Sequence, residues 1–304
     1  MSATELIAKH ILEHRSKSTK PLFVALQGPQ GSGKSYLAAH LHEYLIAEPY
    51  SLRVAVLSID DLYLTHEGLV SLAADNSTNL LWQGRGQPGT HDINLGMHIL
   101  SALKEGKSDV EIPHFDKSLY NGAGDRLPMD GSGRVIKQPP PVDVVILEGW
   151  CVGFYPISAE ELQHRWDGMW KRERERLGLN EEQVARKIDL QDVNAKLKEY
   201  VRIWEFFDVL IKPLHKPASK KVESEYDIVY EWRLEQEHNM KAKNGGRGMS
   251  DDAVKSFVDR YIPGYVFFGD EIPSGPDYQH PKWTGKGLTL LVNERRAVVG
   301  TSTF

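Results

Sequence analysis

Residues 28–35 read GPQGSGKS, a full match to G-x-x-x-x-G-K-[ST]. The match lies between a short apolar run, PLFVALQG, and SYLAAHLHEYLIAE, which is apolar at helical spacing through Leu37, Leu41, Tyr44 and Leu45. Glycines reach positive φ and carry no Cβ, so successive backbone N–H groups and a helix N-terminus can converge on one anion. Gly28, Gly31, Ser32 and Gly33 would shape such a cup, Lys34 would reach the outer phosphates of a triphosphate, and Ser35 would offer its hydroxyl to Mg2+. Further acids follow two other apolar runs. Asp60, in SIDDLY, is placed to orient and deprotonate an attacking hydroxyl, while Asp61 either assists it or caps the next turn. Glu148, in LEGW, stands where a magnesium-organising carboxylate belongs; being longer than Asp, it can act through water.

These groups need a scaffold that brings strand ends together. PLFVALQG, RVAVLSID and VDVVILEG read as buried strands, with FDVLIKP a fourth, and INLGMHILSALKEG reads as a helix closed by Gly106. Buried strands alternating with helices predict an α/β fold with a mostly parallel sheet and helices on both faces, ligands gathering at the carboxyl edge. TELIAKHILEHR reads as a short amphipathic helix, and the charges of KRERERL and EEQVARKI as the solvated face of long polar helices. Two stretches rich in turn-formers, Thr65 to Pro88 and Pro113 to Pro141, read as long functional loops. From Val222 a charged helix leads to KNGGRGMSDD, where Ser250 caps the next helix, and LTLLVNERRAVVG reads as two strands about a polar turn. No internal repeat is visible.

Composition narrows the class. The 304 residues are 40% apolar and 26% charged, an ordinary globular balance that excludes disorder and stapled mini-scaffolds. Lys and Arg number 37 against 42 for Asp and Glu, a net charge of −5 that gives nucleic acid and anionic membranes no purchase. Apolar runs fall short of a membrane span, and the one cysteine, Cys151, reads as a small buried side chain in a reducing compartment, so a cytoplasmic location is expected. His91 and His114 show no zinc-ligand spacing.

SIDDLY resembles the serine-x-aspartate-x-aromatic segment of the phosphoribulokinase, uridine kinase and pantothenate kinase group of P-loop kinases. RGQPGTHD, HFDKS with GAGDR, LEGW with CVGF, VNAKLKEY, and EWRLEQE followed by GMSDDAVKSFVDRYIPGY resemble the plant and fungal D-glycerate 3-kinase family over most of residues 21–265. The resemblance implies a single P-loop kinase domain over 1–304, its core about 20–215 and a lid with C-terminal extension about 216–304. It implies ATP and Mg2+ on Gly28, Gly31, Ser32, Gly33, Lys34 and Ser35, Asp60 as base, Glu148 on the metal, and Arg233 as the lid arginine.

A hydroxy acid needs a bidentate cation and hydrogen-bond donors, for which Arg85, His91, Asp92, Asp116, Lys117 and Arg126 in the two long loops are the candidates. The expected activity is transfer of the γ-phosphoryl of ATP to a primary hydroxyl, D-glycerate giving 3-phosphoglycerate, by a monomer or weak homo-oligomer. Two alternatives stand beside it. One is a kinase of a nucleoside- or pantothenate-like acceptor, with Trp82, Phe115 and Tyr120 available for stacking. The other is a non-catalytic ATP-binding switch, although no N-K-x-D guanine-reading segment is present.

Overall fold

The computed structural model describes residues 1–17, 21–215, 224, 226–243, 245–269 and 280–304. In chain order the elements that frame the site are α1 (Ala3–Arg15), β1 (Leu22–Gln27), α2 (Lys34–Ile46), β2 (Val54–Ser58), α3 (His66–Asp75), α4 (Ile93–Glu105) and β3 (Val144–Gly149). They continue with α5 (Lys187–Trp204), β4 (Val209–His215), α6 (Asp227–Lys243), α7 (Asp251–Asp259), α8 (Ile262–Phe268), β5 (Gly287–Val292) and β6 (Val298–Thr303). The sheet order is β6-β5-β4-β1-β3-β2. Every pairing is parallel except β5 with β6, which form a closing hairpin.

All six residues of β1 and of β3 are buried, which requires cover on both faces of the sheet. That is why these runs lack polar alternation. On α1 the buried face is Ile7, Ala8 and Ile11, and Ser2 closes a capping box with Glu5. Helix α4 begins on the side chain of Asp92 and ends at Gly106, whose φ of 67° is the left-handed cap that glycine favours. Ser250 accepts from Ala253 N–H and starts α7 as the sequence predicts.

Three expectations need correction. Thr65 to Pro88 is not a structureless loop: Thr65 caps α3 by accepting from Gly68 N–H, and Leu80–Trp82 forms a 3-10 turn. Pro113 to Pro141 is likewise built from pieces of ribbon, Val110–Ile112 paired with Arg134–Ile136 and Phe115–Asp116 with Asp125–Arg126. EEQVARKI is not one solvated helix, because the chain turns extended at Ala185 and Arg186 before α5 starts. There Asp189, fully buried, accepts from the Arg186 backbone and guanidinium. Glu173 of KRERERL is also buried and accepts from the Ser224 hydroxyl at 2.6 Å. Charge alternation is a poor guide to exposure where a carboxylate is buried beneath an arginine that stays at the surface.

No described helix is long and apolar enough to cross a membrane. Cys151 is buried and free, and burial pushes its thiol well above its usual range.

Candidate active site

The cup lies where β1 runs into α2. Gly31 and Gly33 take φ of +73° and +84°. The carboxyl edge of β1 therefore opens directly onto the N-terminus of α2, at Lys34 and Ser35. Ser32 Oγ is buried without a partner, and Lys34 makes no ion pair with a described residue. Two later elements frame the turn. From α8, the Tyr265 hydroxyl accepts from Gln30 N–H at 3.2 Å. From α6, the Trp232 backbone packs so closely on Gly31 that a Cβ there would sit 2.5 Å from the Trp232 carbonyl carbon. No side chain would fit at that position.

β3 carries Glu148 alongside, and parallel pairing sets it level with Leu26 of β1 and Ser58 of β2. Ser35 Oγ donates to Glu148 Oε1 at 2.8 Å, and the other oxygen, Oε2, is buried with no partner. A buried carboxylate oxygen left open beside a helix-terminal hydroxyl suits a hard cation that also takes phosphate and water oxygens.

Ser58 ends β2 and caps a 3-10 turn, Ile59–Leu62, which presents Asp60 and Asp61. Their surroundings differ. Asp60 Oδ2 lies 2.5 Å from Lys117 Nζ, and the Tyr63 hydroxyl donates to Oδ1 at 3.1 Å. Burial pushes this carboxyl up, but the charges of Lys117 and, behind it, Lys34 and His91 outweigh that and hold it at about 2. Asp61 instead accepts the Phe115 backbone N–H at 3.0 Å and faces His114 at 3.3 Å, and burial raises its carboxyl. Asp61 thus fixes the ribbon that delivers Lys117 to Asp60.

The remaining loop candidates are held by partners of their own. Arg85 donates to the carbonyls of Gly122 and Ala123 and lies over the Phe115 ring, tying one long loop to the other. Asp92 caps α4 and pairs with Arg126 at 3.0 Å, while Asp116 accepts from Ser118 in a local turn. His91 is buried and stacked on Tyr63 at 4.5 Å between ring centroids. The Tyr200 hydroxyl accepts from Gly89 N–H and shares a hydrogen bond with His91 Nδ1, both at 2.7 Å, and His91 Nε2 is buried and unpartnered. Of the six, Lys117 alone is placed on the carboxylate of Asp60.

No family model matches the chain. It is 38% identical over 278 residues to "Uncharacterized kinase mug58" of Schizosaccharomyces pombe, covering 88% of this chain and 90% of that protein. To "Probable ATP-dependent kinase TDA10" of Saccharomyces cerevisiae it is 36% identical over 310 residues, covering 98% and 94%. The solved D-glycerate 3-kinase from Cryptococcus neoformans superposes with a TM-score of 0.84 at 35% identity, over the whole of both chains. The chain belongs to the D-glycerate 3-kinase family. It is an ATP-dependent phosphotransferase with an alcohol group as acceptor, on a P-loop kinase fold.

Within this D-glycerate 3-kinase family member, the Arg233 guanidinium pairs with buried Glu237 at 2.8 Å, one helical turn along α6, and lies over the Phe257 ring. A second arginine, Arg296, in the turn between β5 and β6, donates to the Gly31 carbonyl of the cup, and nothing local in the sequence marks it. An open cleft of about 850 Å3 runs from Ser35, Ser58 and Glu148 past Asp61 to His114 and Arg134, between α2, the edge strand β2 and the 110–136 ribbon.

Proposed function

We propose that this kinase transfers the γ-phosphoryl group of ATP to the primary hydroxyl of D-glycerate, giving 3-phosphoglycerate. The observation that carries the reading is Asp60, an ionised carboxylate placed just past β2 and within the field of Lys34, with the exposed ammonium of Lys117 on Oδ2. The likeness to a D-glycerate 3-kinase over full length supports the acceptor.

The residues divide the work. The amides of Gly31 and Gly33, with Lys34, would hold the triphosphate and offset the charge that develops on it. Ser35 and Glu148, with its open Oε2, would hold Mg2+, which when bound neutralises phosphate charge. Lys117 is 55% exposed along its side chain and free to change partner. An acceptor carboxylate drawing Lys117 away would leave Asp60 Oδ2 bare to take the hydroxyl proton while Tyr63 keeps Oδ1 in place. Arg85 and Arg126 anchor the loops that carry this exchange. Arg233 closes over the phosphates only by exchanging Glu237 for them. One reduced cysteine supports a cytoplasmic setting.

The size of the cleft favours a second reading, a larger acceptor of pantothenate type. A nucleoside fits less well: Trp82 and Phe115 are buried in the fold, and Tyr120 is already stacked on His66 at 3.7 Å.

Coupled ADP release with D-glycerate, L-glycerate, pantothenate and uridine separates these readings. Saturable release with D-glycerate and formation of 3-phosphoglycerate are expected. Turnover with pantothenate or uridine and none with D-glycerate would overturn the assignment.

A further inference from the structure

The turn between β5 and β6 is unusually well fixed. Asn293 Oδ1 accepts from both Arg295 and Ala297 N–H at 3.0 Å, and the Asn293 carbonyl accepts from Arg296 N–H at 2.8 Å. Arg296 adopts a left-handed φ of 62° there. Its guanidinium then bridges the cup and α6. Nε donates to the Gly31 carbonyl at 2.7 Å, Nη1 pairs with Glu235 at 2.7 Å, and Nη2 donates to the Trp232 carbonyl at 3.4 Å. The group lies over the Trp232 ring at 5.3 Å, and Trp232 Nε1 donates to the Glu294 carbonyl at 2.7 Å.

From this convergence we propose that Arg296 is a positioning residue for ATP binding, holding the phosphate cup in its anion-accepting form. Gly31 has no Cβ to bar rotation of the peptide that follows it. A rotated peptide would turn a carbonyl oxygen toward the phosphates, and lone pairs among phosphate oxygens repel them. A carbonyl bonded to a guanidinium is held against that rotation. The same guanidinium fixes α6 against Gly31, so three segments far apart in sequence set one turn of backbone. Asn293 serves by keeping the Arg296 turn rigid.

The proposal rests on ATP as donor and not on the identity of the acceptor, so its binding test needs no acceptor, and D-glycerate serves as acceptor only in the kinetic arm. Binding of β,γ-imido-ATP to the full chain is measured by calorimetry for wild type, Arg296→Asn, Arg296→Lys and Glu235→Gln. Asn tolerates the left-handed conformation, which protects the hairpin. Loss of the guanidinium's hold on the Gly31 carbonyl is expected to weaken binding about tenfold in Arg296→Asn, with the melting temperature held within a few degrees. Lys keeps the charge without the fork and is expected to recover part of the loss, and Glu235→Gln to cost about two- to threefold. Steady-state kinetics should show a raised KM for ATP and an unchanged KM for the acceptor. Unchanged imido-ATP affinity in Arg296→Asn would overturn the proposal. A large drop in melting temperature with both KM values rising together would also overturn it, in favour of a purely architectural role.

Discussion

Lys117 Nζ lies 2.5 Å from Asp60 Oδ2, so the carboxylate in the base position is engaged by a cation from the facing ribbon before any substrate arrives. The pair does two things. It keeps Asp60 ionised against the cost of burial, and it makes the carboxylate a weak base until Lys117 is drawn elsewhere. On the proposed mechanism, an acceptor with its own carboxylate draws it and one without does not. Discrimination of this kind ties base strength to the chemistry of the acceptor.

Replacing Lys117 with Met tests that link. Burial then acts on Asp60 unopposed by its nearest charge, and its carboxyl should rise from about 2. The acid limb of the kcat/KM profile is expected to move up by about one unit or more, and KM for D-glycerate to rise about tenfold. The stability sign also follows. A carboxyl depressed on folding contributes stability above its unfolded value near 4 and loses it as pH falls toward about 2. The variant should therefore lose less stability than wild type across that acid window, measured by thermal melts from pH 5 to 2.

Glu148→Gln removes the charge from a buried carboxylate whose Oε2 has no protein partner. Because Gln still accepts from the Ser35 hydroxyl, the fold should hold, with a melting temperature at or above wild type. The Mg2+ concentration needed for half-maximal ADP release is expected to rise about tenfold or more. An unchanged requirement would remove Glu148 from the metal site.

His91 is buried, with Nδ1 in a hydrogen bond with the Tyr200 hydroxyl, and burial pushes its imidazole down to about 4. The unfolded chain takes up a proton near 6.5 that the folded chain refuses until about 4, so stability should fall as pH drops through that window. Melting temperature against pH should be flatter in His91→Gln than in wild type between pH 6.5 and 4. Equal slopes would place the titrating group elsewhere.

What was legible in the sequence was whatever is written locally. GPQGSGKS between a buried run and an amphipathic segment specified strand, cup and helix, and Gly106 and Ser250 marked helix ends through backbone chemistry that needs no distant partner. Ser58 to Asp61 could be placed at the sheet edge for the same reason. The contacts that decide side-chain roles are long-range, and spacing does not encode them. Nothing near Arg296 announces that its turn meets Gly31, and nothing near Lys117 announces Asp60. Arg233 is the instructive case, since Glu237 four residues on is the ordinary signal of a helical ion pair and here that signal decided the geometry. Asp92 similarly stands before the first apolar residue of α4, a cap position first and a ligand candidate second.

The central claim is that Asp60, and not its neighbour, receives the acceptor's proton. Phosphorus NMR of 3-phosphoglycerate formation from ATP and D-glycerate, in wild type, Asp60→Asn and Asp61→Asn, measures it directly. Asp60→Asn should bind imido-ATP normally and form product at least about a hundredfold more slowly, the usual cost of losing a general base. Asp61→Asn keeps an acceptor for the Phe115 N–H and should lose about tenfold or less, through a loosened ribbon. A near-wild-type rate in Asp60→Asn, or a deeper loss in Asp61→Asn, would contradict the account.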